Sequence, residues 1–409
     1  MADAEFGPPA PVTCAGCGLL CDDVTLERSG DGVRLDPRCG LGAEWFSARA
    51  GRSTRGPAAT VGGQPADVET ALARAAELLR ASRRPLLHGF DGATVEDARA
   101  AVALADRLGA LVATGDVSGP WPGAPAVPLR GASTATLGEI RDRSQLVVIW
   151  REDPERTHPR LLERLGFGGD SPSRSHAGRT LLVVDDRDTA TAERADAQLR
   201  WPADRDLEAL SALHVLQRNL PLLARDPAPE LEGLLERLVA VPHAAFVYGG
   251  GLSAGAGGQR RLLALHELVR ALSHDRHVVT LELPSAAGTR SAQEVLTWQT
   301  GYSPSVDLAG GHPELVTVPG PLAAGAGVDV SLCIEGAPGE LPPGVTRIAL
   351  GSLPAPEADV SIRTAPAGIA AAGTVHRLDG VPLTLQAPLP GEAPTAAALL
   401  GRLLVEVAP

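Results

Sequence analysis

Cys14, Cys17 and Cys21 stand in a C-x2-C-x3-C pattern, and seventeen residues separate Cys21 from a fourth cysteine, Cys39. Three thiolates on one tight, glycine-containing loop reach three corners of an iron–sulfur cluster, and a fourth from further along the chain closes it. Zinc is the alternative, but it prefers two pairs of ligands and the second pair is missing here. Four of the five cysteines fall within the first forty residues, too clustered for a disulfide framework spread over a secreted fold. Cys333 lies in the apolar run Val330–Ile334 and reads as a small core residue.

Other chemistry-bearing residues give weaker signals. Gly249, Gly251 and Ala254 fit the looser G-x-G-x-x-A fingerprint of a dinucleotide loop, between an expected strand and an expected helix. A permissive glycine turn is the simpler reading of the same residues. His158, His176, His243, His266 and His274 show no H-x-x-x-H or His-Glu pairing typical of metal sites, and a turn beside a strand explains the closeness of His274 to His277. The acid pairs Asp22-Asp23 and Asp185-Asp186 fall at loop edges, where solvated carboxylates are the default, although Asp22-Asp23 could support the cysteine loop.

The elements that must position these residues follow an α/β pattern. Val68, Ala71, Leu72, Ala75, Leu78 and Leu79 recur at helical spacing, and the run 85–89 follows as a short buried strand. Thr94 with Asp97 three residues later is a variant of the capping box, opening a helix that stops at Gly109. Strand-like runs recur at 110–114, 146–150 and 181–185. Strand and helix in alternation predict parallel sheets covered on both faces, that is, a doubly wound α/β fold. A surface loop is expected over 166–179 and a long helical region over 206–240. Strands at 244–249, 277–283, 328–335, 347–351 and 359–363 and a helix at 260–272 form a second α/β set. A proline-rich piece from about Thr374 leads to a last helix at 395–405. The resulting partition is a cysteine segment (1–55) with too few apolar residues for its own core, two α/β domains (56–205 and 206–365) and a C-terminal segment (366–409).

Composition narrows the functional classes. The chain has 409 residues, a net charge of −12 and 37 basic residues, every one of them arginine. The acidic balance argues against a nucleic-acid partner, and without lysine there is no P-loop of the Walker type. No stretch has the roughly 18 uninterrupted apolar residues of a membrane span, and the N-terminus lacks the features of a secretory signal, so a cytoplasmic location with no membrane partner is expected.

The cysteine loop with Asp22-Asp23, ahead of successive α/β domains, resembles the molybdopterin- and tungstopterin-dependent oxidoreductases, and among them the family of formylmethanofuran dehydrogenase B subunits. Three further segments carry the resemblance: Glu294 to Tyr302 (EVLTWQTGY), Val306-Asp307-Leu308 with Gly311-His312-Pro313, and Gly373 to Pro382 (GTVHRLDGVP). The likeness spans nearly the whole chain.

The resemblance implies a 4Fe–4S cluster on Cys14, Cys17, Cys21 and Cys39, and makes Gly249 and Gly251 part of a loop approaching a pterin nucleotide. It also implies a loop whose cysteine holds tungsten or molybdenum. Here that loop reads Asp116-Val117-Ser118-Gly119-Pro120, and an expected Arg-Gly-His segment is replaced by 284–287 (PSAA). A serine hydroxyl at Ser118 is a harder and less acidic ligand than a thiolate, so the pterin-bound metal is expected to be absent and no catalytic residue is assigned. The pattern resembles the B subunit of the formyltransferase/hydrolase complex of tetrahydromethanopterin-linked formaldehyde oxidation. That implies a non-redox role beside a metal-dependent hydrolase (A), a C subunit and a formyltransferase (D). An active tungsten or molybdenum dehydrogenase subunit and a dinucleotide-binding α/β enzyme are the competing expectations.

Overall fold

The computed structural model describes residues 10–29, 32–37, 39–50, 56–114, 126–168, 178–221, 229–255, 257–316, 327–337, 339–389 and 391–408. Most of the expected loop at 166–179, and the degenerate loop with Val117 and Ser118, lie outside the described residues. The chain divides into two compact units: 1–120 with 285–377 and 382–409, and 121–284 with 378–381.

The first unit is built on a nine-stranded mixed sheet. Its centre is parallel, in the order Leu111–Ala113, Pro85–Gly89, Val330–Ile334, Thr346–Gly351 and Val360–Arg363. Antiparallel strands close both sides: Ser305–Asp307 pairs with Leu111–Ala113, and Ala59–Val61 pairs with Val360–Arg363. Val330, Leu332 and Ile334 alternate onto the face that packs on the helices Val68–Ala81, Val95–Leu108, Thr289–Thr300 and Ala396–Glu406. The expected box at Thr94 is present with both of its hydrogen bonds, and Gly109 ends that helix at φ +61°. The Asp97 carboxylate reaches further, accepting from Ala397 N at 2.7 Å in the first turn of the last helix.

The second unit holds five parallel strands in the order Ala197–Leu199, Thr180–Val184, Leu146–Trp150, His243–Tyr248 and His277–Glu282. The helices Asp206–Gln217, Pro229–Val239 and Gly258–Leu272 contribute to its core. The expected helical region at 206–240 is therefore two helices, with 222–228 outside the described residues.

Both units are α/β with parallel strands, as expected, but the linear partition at 205 and 365 does not match the compact units. Strand pairing is the reason. Val330–Ile334 registers on Pro85–Gly89, so the strands expected to finish a second domain complete the first one instead. The cysteine segment and the C-terminal segment, placed apart in sequence, also fall in the same unit. Among the described residues no helix is long and apolar enough to cross a membrane.

Candidate functional site

The three motif cysteines occupy the connection between two short strands, Ala10–Val12 and Val24–Ser29, which pair antiparallel, and Gly32–Asp36 adds a third strand. Cys14 N donates to Cys21 O at 2.9 Å and Leu20 N donates to Cys17 O at 3.3 Å, folding the loop back on itself. Leu20 takes the left-handed φ of +44° at the turn. Cys39 precedes the helix Gly40–Ala50 and its carbonyl accepts from Ala43 N at 2.9 Å. That helix brings Gly42 against the loop: a Cβ there would lie 3.0 Å from Cys14 Sγ and 3.0 Å from Leu35 Cδ1.

The segment's stability comes in part from the far end of the chain. Ala15 and Leu20 pack with Ala287, Val375 and Leu385. Thr13 N donates to Gln386 Oε1 at 2.8 Å, and Thr13 Oγ1 donates to Thr384 O at 3.0 Å. These partners surround the hairpin Gly373–His376 with Pro382–Leu385, a stretch that composition alone marks only as proline-rich. Pro382 opens the second strand, a position that tolerates a residue with no N–H.

All four cysteines are free thiols, and they sit near enough that ionising Cys14 is opposed by Cys17, Cys21 and Cys39. Burial first, then these neighbours, push Cys14 up to about 12, against a hydrogen bond from the Gly16 backbone. Cys17 is likewise pushed up to about 12 by burial, with the Leu19 backbone opposing. Backbone N–H groups of Gly16 and Leu19 hydrogen-bond these sulfurs, and a bound positive charge, if present, would reverse the effect of burial. Among the described residues, however, no group of three or more His, Cys, Asp or Glu side chains is placed to hold a metal ion.

Most of the residues that carry the sequence resemblance fall in the same unit, with 378–381 of the last string assigned to the other. Glu294 to Thr300 lies on the helix Thr289–Thr300, whose C-cap Gly301 has φ +84°. Trp298 is 58 % exposed and its ring meets that of His376 edge-on, with centroids 5.4 Å apart. His376 N donates to Ser291 Oγ at 2.7 Å. Burial lowers the pKa of His376, opposed by Glu294 and assisted by Arg290.

Gly249 and Gly251 sit at the C-terminal end of His243–Tyr248, where the strand order of the second unit reverses against Leu146–Trp150. Open α/β sheets bind ligands outside such a switch point. Here the Gly251 N–H donates to Glu152 Oε1 at 3.0 Å, and a Cβ on Gly251 would strike Arg151 O at 1.8 Å. Burial raises the pKa of Glu152, with the Gly251 hydrogen bond opposing.

Sequence reading missed the residues beside this loop. Asp185, expected to be solvated, is fully buried and pairs with Arg187 at 2.8 Å, with Arg151 at 3.5 Å. Although burial opposes it, the bonds from Arg187 and the charge of Arg151 hold the Asp185 carboxyl below its usual range. The available signal was Arg151-Glu152-Asp153 directly after the apolar strand Leu146–Trp150, three charges at the edge where a parallel sheet takes its ligand. His243 and His277, opposite each other on adjacent strands, pack edge-on at 5.4 Å, a pairing the sequence separation hid.

No protein-family model matches the chain. It is similar to the B subunit of the tungsten-containing formylmethanofuran dehydrogenase 2 of Methanocaldococcus jannaschii, 27% identical over 92% of each chain. The B subunit of the formyltransferase/hydrolase complex of Methylorubrum extorquens is 30% identical over 63% of this chain and 68% of its own length. The fold is similar to a chain in the crystal structure of the Methylorubrum extorquens formyltransferase/hydrolase complex in complex with methylofuran. There the TM-score is 0.68 at 25% identity, covering 86% of this chain and 98% of the other.

Proposed function

Since this chain belongs to the family of formylmethanofuran dehydrogenase and formyltransferase/hydrolase complex B subunits, we propose that it works as a non-redox B subunit of a formyltransferase/hydrolase complex. Its partners are then a metal-dependent hydrolase, a C subunit and a formyltransferase that passes formyl groups on a furan-type carrier. The observation that carries the non-redox part is Ser118, in a loop where the family's redox members place a cysteine. A hydroxyl does not replace a thiolate at a soft, pterin-bound metal. Similarity over 92% of the tungsten-containing relative favours the second reading, an active dehydrogenase subunit.

Cys14, Cys17, Cys21 and Cys39 would hold a 4Fe–4S cluster with a structural role, and the arrangement as an antiparallel loop facing a helix start supports this. Zinc would need four sulfurs around one ion, whereas a polynuclear cluster gives each thiolate its own iron, and the uneven C-x2-C-x3-C spacing with a distant fourth cysteine suits the second better. When bound, the cluster supplies cross-links between the loop and the helix Gly40–Ala50. The chain's own residues do the rest: the Gly16 and Leu19 N–H groups face sulfur, and Leu20 anchors the loop on Val375 and Leu385.

The test is anaerobic purification of the complex with quantification of iron, sulfide, tungsten and molybdenum. Iron and sulfide without either heavy metal, together with co-purifying hydrolase and formyltransferase, is the expected result. Stoichiometric tungsten or molybdenum with formate turnover overturns the non-redox reading. Iron absent from wild type, or unchanged in Cys39→Ser, overturns the cluster.

A further inference from the structure

We propose that His243, His277 and Glu139 form a site for a divalent cation of the zinc type at the N-terminal edge of the parallel sheet in the second unit. The site goes beyond the B-subunit reading, uses none of the cysteines and lies at the opposite end of the strand His243–Tyr248 from Gly249 and Gly251.

Three elements supply the donors. His243 opens the strand His243–Tyr248 and His277 opens His277–Glu282, and the parallel register sets them directly opposite each other. Ala244, Phe246, Tyr248 and Val278 pack into the core of the unit, so alternation along each strand puts both imidazoles on the other face. The helix Leu137–Arg143 presents Glu139 to them, with its Oε1 3.5 Å from His277 Nε2. Both ligand backbones are anchored. His243 N donates to Gln145 Oε1 at 3.2 Å and His243 O accepts from Gln145 N at 3.0 Å, while His277 N donates to Pro242 O at 2.8 Å.

The spacings are those of groups sharing one ion. A tetrahedral zinc ion with its donors at about 2.0–2.1 Å holds neighbouring donor atoms about 3.3 Å apart and the centres of two bound imidazoles about 5 Å apart. The His277 and Glu139 donor atoms stand 3.5 Å apart, and the two ring centres 5.4 Å. Hydrogen bonding uses these groups poorly. At 3.5 Å the carboxylate is at the outer limit of a bond to the ring, and His243 Nδ1 is removed from water with no partner. Among the described residues no three such side chains already stand as a complete metal site, so the ion itself draws this one together. The side chains that must turn are accessible, His277 at 50 % and Glu139 at 35 % exposure.

The donor set selects the ion. Two imidazoles and one carboxylate suit zinc, whereas magnesium and calcium take oxygen ligands. Water fills the remaining position. Arginines beside these elements do not oppose the charge alone, since Arg141 is paired with Asp142 at 2.8 Å and Arg276 with Asp275 at 2.9 Å. A bound ion ties the starts of two neighbouring strands to a helix, and so stabilises the folded unit.

The probe is cobalt(II), titrated anaerobically into the full chain, because cobalt on nitrogen and oxygen gives only weak visible bands whereas thiolate ligation adds strong near-ultraviolet absorption. The spectrum of wild type minus that of His277→Ala should consist of weak visible bands saturating at one cobalt per chain, with no near-ultraviolet component. Glu139→Gln should need at least tenfold more cobalt for half saturation, the loss typical of a removed carboxylate at a histidine site. Zinc chloride should raise the thermal midpoint of wild type further than that of His277→Ala. His277 is half exposed at a strand start, so its replacement spares the core, and Glu139→Gln gives a second, shape-preserving variant.

Equal cobalt uptake by wild type and His277→Ala overturns the proposal, as does a Glu139→Gln titration that matches wild type. A difference spectrum carrying the near-ultraviolet band assigns the ion to thiolates and overturns it as well. None of these outcomes bears on the B-subunit reading, which is decided by iron, sulfide, tungsten and molybdenum in the complex.

Discussion

Trp298 packs edge-on against His376 at 5.4 Å, joining two of the strings of sequence that most resemble the family, although they lie far apart in the linear order. The tryptophan is largely exposed and the histidine buried, so the edge contact lies where the histidine meets the surface.

Trp298→Ala is expected to cost only about 0.5–1.5 kcal/mol in urea unfolding, the range for one aromatic pair, because the indole is more than half exposed. Its clearer effect is on titration. Burial is what chiefly lowers the His376 pKa, so opening the ring to water should move its midpoint upward, read by NMR of the imidazole protons. An unmoved midpoint would mean that the indole does not shield it.

Gly42→Ala places a methyl group 3.0 Å from both Cys14 Sγ and Leu35 Cδ1. Overpacking of this kind costs about 1–3 kcal/mol. The variant is expected to lose stability and, in an anaerobic preparation, to retain less iron than wild type. Gly40→Ala, with nothing within 4 Å of the new methyl, is the control and should keep both.

Asp97 caps two helices at once, accepting from Thr94 N at 2.9 Å and from Ala397 N at 2.7 Å. Asp97→Ala leaves buried donors unmet at both, and a loss of about 2–4 kcal/mol in denaturant unfolding is expected. Asp97→Asn keeps one acceptor and should lose about half as much. Equal losses would show that charge rather than hydrogen bonding dominates.

Two buried histidines and one glutamate give opposite pH dependences. Burial lowers His88 and His158 from 6.5 to about 4, so the unfolded chain takes up their protons first. Their contribution is complete above pH 6.5 and is lost as pH falls toward 4. Glu335 is raised from 4.5 to about 7 by burial, against the hydroxyl of Thr364, with Asp97 adding to the rise. Its contribution is complete below 4.5 and is lost as pH rises through 7. Glu335→Gln can donate to Thr364 and still accept from Ser352 N, so it should be more stable than wild type at pH 8 by about 1–2 kcal/mol. At pH 4 the two should unfold alike; an equal offset at both values would refute the ionisation account.

The local grammar of this chain was open to reading from sequence. The Thr94–Asp97 box, the stop at Gly109 and the apolar run Leu146–Trp150 each rest on neighbours within a few residues. What could not be read is what distant residues decide. Gly373–His376 and Pro382–Leu385 become strands because each supplies the other's hydrogen bonds, and nothing in their own composition requires it. Val330–Ile334 looked the same whether it paired with His277–Glu282 or with Pro85–Gly89, since apolar parallel strands carry little register information. The four cysteines were legible as a set by spacing alone. The Arg151–Asp206 pair was not, because a charge after a strand reads as solvated until the fold shows what surrounds it.

The interrupted path of the first unit bears on how the protein is made. A ribosome releases all of 121–284, a stretch able to close its own parallel sheet, before Val330 exists to register on Pro85. Until then Leu86 and Leu87 lack a neighbour on one side, an exposure that chaperones commonly cover during synthesis. The cysteine loop waits longer still, since Val375 and Leu385 are translated later again. Burial of the thiols is thereby deferred until that distant hairpin has been made, so products cut short before it would leave them exposed.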